Sequence, residues 1–144
     1  MLYEDYVKQM TGCPFCDGNN RVLADSEHAF LTYAIAPYHR HHLLVIPRRH
    51  VESIDELTED ELTAIDRLQE LGLSLLKKLH YKSISFLVRE GQLNINKSVM
   101  HSHFHLIPEI LIGNVDHNGE PRRVLTDDEI STLMNELLPL VSAA

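Results

Sequence analysis

The stretch His101-Ser102-His103-Phe104-His105-Leu106-Ile107-Pro108 places a histidine at every second position, behind a lead-in of Ser98-Val99-Met100. In an extended strand successive side chains point to opposite faces, so residues two apart share a face at a spacing of roughly 6 to 7 Å. The pattern therefore predicts a strand over 99–107 with all three imidazoles on one wall. Near neutral pH an imidazole can be nucleophile, acid, base or metal ligand. Three of them in register point to a working site rather than to packing.

A chain of 144 residues with 44% hydrophobic side chains and no low-complexity tract is expected to form one domain, 1–144, around a real core. Its 13 basic and 21 acidic residues give a net charge of −8, which argues against a generic binder of long polyanions or anionic membranes. Locally the balance is different. From Tyr38 to Val51 the chain reads YHRHHLLVIPRRHV, with Arg40, Arg48, Arg49, four histidines and no acid, so a basic pocket for a small phosphorylated ligand is expected there. No apolar run is long enough for a membrane span, and the opening MLYEDYVKQM lacks the basic start and apolar centre of a secretory signal. A soluble, cytoplasmic protein is expected. The two cysteines stand as Cys13-Pro14-Phe15-Cys16, a spacing that in a reducing compartment points to metal binding or redox exchange. A thioredoxin-like redox turn wants a strand before it and a helix beginning inside it. Here a weak helical stretch precedes the motif and turn residues follow, which favours metal.

Tyr3 to Met10 reads as a short helix, 21–24 and 29–35 as two strands, and His42 to Ile46 as a third strand closed by Pro47. Thr58-Glu59-Asp60-Glu61 is a capping box opening a long amphipathic helix over 58–80, with Leu62, Ile65, Leu68, Leu75 or Leu76, and Leu79 facing a sheet. Gly72 inside it marks a close approach to a neighbour. Ser83 to Val88 is a fourth strand and 99–107 the fifth. After an irregular connector, Thr126-Asp127-Asp128-Glu129 caps a C-terminal helix to about Leu138 that carries Ile130, Leu133, Met134 and Leu137 inward.

With its order of elements in place, the chain resembles the histidine triad (HIT) superfamily of nucleotide hydrolases and nucleotidyl transferases. Two motifs carry the resemblance: HSHFHLIP, and His42-Leu43-Leu44-Val45-Ile46-Pro47-Arg48-Arg49-His50, which looks like the family's H-x-L-V-x-P-[KR]-x-H signature. It covers about residues 10–109, the HIT-like core, and leaves 110–144 as connector and C-terminal helix. It implies an α+β fold in which a five-stranded antiparallel sheet packs on a long helix, commonly paired into a homodimer. It also assigns roles. His103 would attack the α-phosphorus of a nucleotide and form a covalent nucleotidyl-histidine, His105 would contact phosphoryl and leaving-group oxygens, and His42 would orient the nucleophile. Ser98 would hold the phosphate or leaving group. In the zinc-bearing branches of the superfamily, the positions of Cys13, Cys16, His50 and His101 form a closed structural zinc site of two thiolates and two imidazoles.

Three positions depart from the family pattern. Ala34 stands where many members carry an acid for the ribose diol, Arg89 where an asparagine is usual and Lys97 where a glutamine is usual. Added cations at Arg89 and Lys97 favour an anionic substrate such as a dinucleoside polyphosphate, a nucleotide sugar or a 5′-adenylated nucleic-acid end. Two further readings stand beside this one. The same fold can serve as a non-catalytic sensor of nucleotides or adenylated ends, or the three histidines can jointly bind a catalytic metal, which would leave the cysteine pair without a purpose.

Overall fold

The computed structural model of the chain describes residues 1–16, 21–91, 99–110 and 113–143. Lys97 and Ser98 lie outside the described residues. The chain forms two compact units, Met1–Leu111, which opens with the short helix α1 (Tyr3–Gln9), and Ile112–Ala144.

In the first unit β1 (Ala24–Asp25), β2 (Ala29–Tyr33), β3 (Leu43–Pro47), β4 (Ile84–Val88) and β5 (Phe104–Pro108) form one sheet in the order β1-β2-β3-β5-β4. Every pairing is antiparallel. β3 is buried along its whole length, as its unbroken apolar run LLVIP requires of a strand covered on both faces. On one face Leu31, Leu43, Val45 and Leu106 pack against Ile65, Leu68 and Leu76 of α2 (Glu59–Lys78). On the other, Phe30, Leu44 and Ile46 pack with Phe15 and Ala34. His105 is paired with Leu44 across the ladder, so it falls on this second face, away from α2.

Helix α2 opens as the sequence predicts. The Glu61 amide donates to the Thr58 hydroxyl, and the Thr58 amide donates to the Glu61 carboxylate. Its buried stripe is Glu61, Ile65, Leu68, Gly72 and Leu76, so of Leu75 and Leu76 it is Leu76 that faces the sheet, whereas Leu62 and Leu79, expected to face it too, are exposed. The stripe rotates onto Glu61 because that carboxylate has its charge met inside: Arg49 donates to both of its oxygens, at 2.8 and 3.2 Å. The guanidinium holds the Glu61 carboxyl at a pKa of about 2, well below the usual range. Gly72 is the predicted close approach, since a Cβ there would stand 2.9 Å from Leu106 Cδ2. After α2, His80 adopts φ +69° and turns the chain toward β4.

The expected fifth strand is shorter than 99–107. Continuing the β3–β5 register beyond Val45↔Phe104 would bring Pro47 opposite Ser102. Pro47 has no N–H to give, and its carbonyl accepts instead from His101 Nε2 at 2.7 Å. The ladder stops at Phe104, and Ser102 donates its amide to the Val51 carbonyl. His101 and His103 are therefore set by a shaped lead-in rather than by strand alternation.

In the second unit a bridge joins Val115 to Pro121, and Gly119 takes φ +81° in the turn between them. Thr126 and Glu129 close the predicted capping box, reinforced by a two-pronged Arg123–Glu129 pair. Helix α3 (Asp127–Ala143) runs past the expected end at Leu138, through Pro139. Ile130, Leu133, Met134 and Leu137, expected to face inward, are exposed.

Candidate active site and metal centre

On the sheet face opposite α2 lies a cavity of about 370 Å³ whose wall includes His42, His103, His105, Arg89 and Phe15. His42 sits immediately before β3 and His105 within β5, adjacent strands, and both are buried. The Tyr38 amide donates to His42 Nδ1 at 3.2 Å, and His42 Nε2 stands 2.8 Å from His105 Nδ1. With Nδ1 of His42 accepting, the ring's proton is on Nε2 and passes the bond to His105 Nδ1. His105 then carries its own proton on Nε2. Burial, followed by the charges of His103 and Arg89, lowers the pKa of His42 to about 4. Burial, His103, His42 and Arg89 lower that of His105 to about 3. Both rings are neutral at pH 7, as this chain of tautomers requires.

His103 has the complementary arrangement. Its Nδ1 donates to the His101 carbonyl at 2.7 Å, so in the neutral ring the lone pair is on Nε2. The His103 and His105 rings are 4.9 Å apart between centroids. One imidazole with a basic Nε2 thus stands beside another with an Nε2–H. That pairing suits nucleophilic attack next to a hydrogen-bond donor for developing negative charge.

His101 does not share the cavity wall with the other two. Its ring turns to the cysteine pair, with Nδ1 3.4 Å from both Cys13 Sγ and Cys16 Sγ while Nε2 donates to Pro47. His50 Nδ1 is 3.1 Å from Cys16 Sγ, and its Nε2 donates to a Glu52 carboxylate oxygen at 3.3 Å. Each histidine therefore has its Nε2–H anchored and its Nδ1 lone pair aimed at the thiols, the arrangement that fixes metal-ligating imidazoles. The ligand atoms of Cys13, Cys16, His50 and His101 all lie within 4.8 Å of one another. A tetrahedral ion with bonds of about 2.0 Å to nitrogen and 2.3 Å to sulfur needs edges of roughly 3.3 to 3.8 Å. The four residues can hold a metal ion with little rearrangement. The geometry also separates His101 from a shared triad metal.

Other sequence expectations fare differently. Arg89 lines the cavity, with its guanidinium carbon 5.9 Å above the Tyr38 ring. Arg48 and Arg49 do not form the expected basic pocket: Arg48 is paired with Asp25 and Arg49 with Glu61. Three contributors escape sequence reading. Phe15 stands edge-on to both His101 and His103, at 5.8 and 5.1 Å between centroids, and so joins the Cys/His cluster to the cavity. Its position between the two cysteines is the signal that could have found it. Tyr38 and Glu52 act by a backbone N–H and by support of a ligand, which no spacing rule marks.

A five-stranded antiparallel sheet with a histidine cluster on its open face and a Cys/His centre beside it defines a class of small α+β proteins. The HIT domain family profile matches residues 18–110, and the chain belongs to this family. An uncharacterized HIT-like protein of Methanocaldococcus jannaschii is 30% identical over 127 residues, covering 84% of this chain and 98% of that protein. The bis(5′-adenosyl)-triphosphatase of Dictyostelium discoideum is 25% identical over 138 residues, 88% of this chain and 89% of that one. The crystal structure of a histidine triad nucleotide-binding protein from Candida albicans superposes with a TM-score of 0.70 at 21% identity, covering 92% and 99% of the two chains. That similarity establishes the HIT-like fold.

Proposed function

We propose that the protein is a nucleotide phosphohydrolase or nucleotidyl transferase that acts at the α-phosphate through a covalent intermediate on His103. The observation that carries this reading is the tautomer pair: the His103 Nδ1–H bond to the His101 carbonyl and the His42 bond to His105 leave one Nε2 basic and the other a donor in the same cavity. His103 Nε2 attacks phosphorus, the phosphorus–oxygen or phosphorus–nitrogen bond to the leaving group breaks, and the His105 Nε2–H bonds to oxygen as charge builds. Water or another acceptor then displaces His103 and releases the nucleotide. Arg89 adds a cation at the phosphate end, a role shared with Lys97 and Ser98 in this proposal. It favours dinucleoside polyphosphates over singly charged substrates.

The Cys13, Cys16, His50 and His101 centre is proposed to hold a structural zinc, supported by its two thiols, its two Nδ1 lone pairs and the anchors on both Nε2 atoms. Zinc there would tie the Cys13–Cys16 turn to the ends of β3 and β5 and take no part in the reaction. A cytoplasmic homodimer is proposed as the working form, supported by the exposed Leu62, Leu71 and Leu75 on α2. Among the described residues no helix is long and apolar enough to cross a membrane. The test is a hydrolysis panel of diadenosine triphosphate, adenosine phosphoramidate, a nucleotide sugar and 5′-adenylated DNA. Turnover of diadenosine triphosphate above the others supports the proposal, and no turnover of any of them refutes it.

A further inference from the structure

Arg48, Arg49 and Arg123 each pair with a carboxylate. The two arginines in the cavity wall do not follow that pattern. Arg89 lies over the Tyr38 ring, and Arg21 lies over the Tyr33 ring with its guanidinium carbon 5.0 Å from the centroid. Arg21 Nη1 is buried and has no hydrogen-bond partner among the described residues. A buried donor without an acceptor bears its desolvation cost uncompensated, and a charged one more so. Among the described residues no aspartate or glutamate lines this cavity, so its charge is wholly cationic.

The two cations serve different places. Arg89 acts on His42 and His105 electrostatically and belongs to the reacting end. Arg21 lies on the opposite side of β2, where its carbonyl accepts from the Thr32 hydroxyl and the Leu23 amide bonds to Leu31. From the chain beside β2 across β3 to β5 is three strand spacings, about 14 Å between backbones. Side chains reaching inward from both sides leave room for a sugar between them. Ala34 and Ala36 line the cavity beside Tyr33 and offer no acceptor side chain to a neutral diol. A guanidinium fork matches a phosphate dianion, which supplies the acceptors that Nη1 lacks.

We propose that this cavity binds nucleotides that carry a second phosphate on the ribose, at the 2′ or 3′ oxygen, more tightly than their unmodified counterparts, and that Arg21 is the residue that recognises it. The inference rests on the nucleotide reading above. The same logic separates dinucleotide pockets, where an acid holds the free ribose diol and an arginine accommodates a ribose phosphate.

The test is calorimetric titration of the full-length protein with 5′-AMP, adenosine 2′,5′-bisphosphate and adenosine 3′,5′-bisphosphate, on wild type, Arg21→Gln and Arg21→Lys. One bisphosphate is expected to bind wild type about tenfold or more tightly than 5′-AMP, as a charge-assisted, bidentate contact gives. That ratio should fall to near one in Arg21→Gln and recover in part in Arg21→Lys. If 5′-AMP binds but neither bisphosphate gains, or the gain survives Arg21→Gln, the inference is overturned while the nucleotide reading stands. If none of the three binds wild type, the nucleotide reading itself fails. The wild-type ratio decides even if the glutamine variant does not fold.

Discussion

His42 Nε2 lies 2.8 Å from His105 Nδ1, and the Tyr38 amide closes the other side of His42. One backbone N–H thereby sets the proton positions of two buried rings. His42→Ala should remove the donor that fixes His105 and lower kcat by roughly 10²-fold, the low end of what a positioned proton donor contributes. Steady-state kinetics checks this, with KM expected to change far less than kcat. A variant with wild-type kcat would detach His42 from the reaction.

The same pair makes stability depend on pH. Both rings have folded-state pKa values, about 4 and about 3, below the ordinary 6.5. Below 6.5 the unfolded chain therefore binds more protons than the folded one, so the neutral pair contributes fully above that pH and its contribution is lost as pH falls toward 4 and 3. Chemical denaturation at pH 7.5 and 4.5 should show a loss on the order of 5 kcal/mol from this pair, about half from each ring. A His42→Leu, His105→Leu variant should show a shallower pH dependence, and an unchanged slope would assign the acid sensitivity elsewhere.

Metal removal should be felt in folding. Cys16→Ser is expected to abolish stoichiometric zinc and lower Tm by roughly 10 °C, because a structural ion stabilises only the folded chain and each kcal/mol is worth a few degrees at this size. Elemental analysis and thermal melts provide the measurement. A metal-free wild-type protein, purified reduced and without chelator, would contradict the assignment.

Gly72 tests the packing beneath the site. A side chain there meets Leu106 Cδ2 at 2.9 Å and Leu31 Cδ1 at 3.4 Å. Gly72→Val should therefore destabilise by about 1–3 kcal/mol through overpacking, despite removing a helical glycine. A denaturant midpoint equal to or above wild type would show that α2 can move off the sheet without cost.

Much of this architecture is legible in the sequence because local signals agree with the tertiary answer. Thr58 and Glu61 form the cap that their spacing announces, Gly72 stands where the helix touches the sheet, and the Cys13–Cys16 spacing leads to a Cys/His cluster that can hold a metal ion. What sequence reading misses depends on partners distant in the chain. Periodicity counts apolar residues, so it could not place Glu61 on the buried stripe without Arg49, nor remove Arg48 and Arg49 from the expected pocket without Asp25 and Glu61. Alternation of three histidines suggested one wall. The missing N–H of Pro47 ends the ladder at Phe104 and turns His101 to the thiols instead. Arg21 gave no signal at all, since its meaning lies in an acceptor that the described chain does not provide.

In the proposed reaction His103 is the nucleophile. The most direct test of this role is mass spectrometry of wild-type protein quenched in acid-free conditions during turnover of diadenosine triphosphate, followed by peptide mapping, with His103→Ala run in parallel. An adenylyl adduct is expected on His103 in the wild type, and a folded variant that binds nucleotide but neither forms the adduct nor turns substrate over. An active His103→Ala enzyme, or an adduct mapped to another residue, would contradict it.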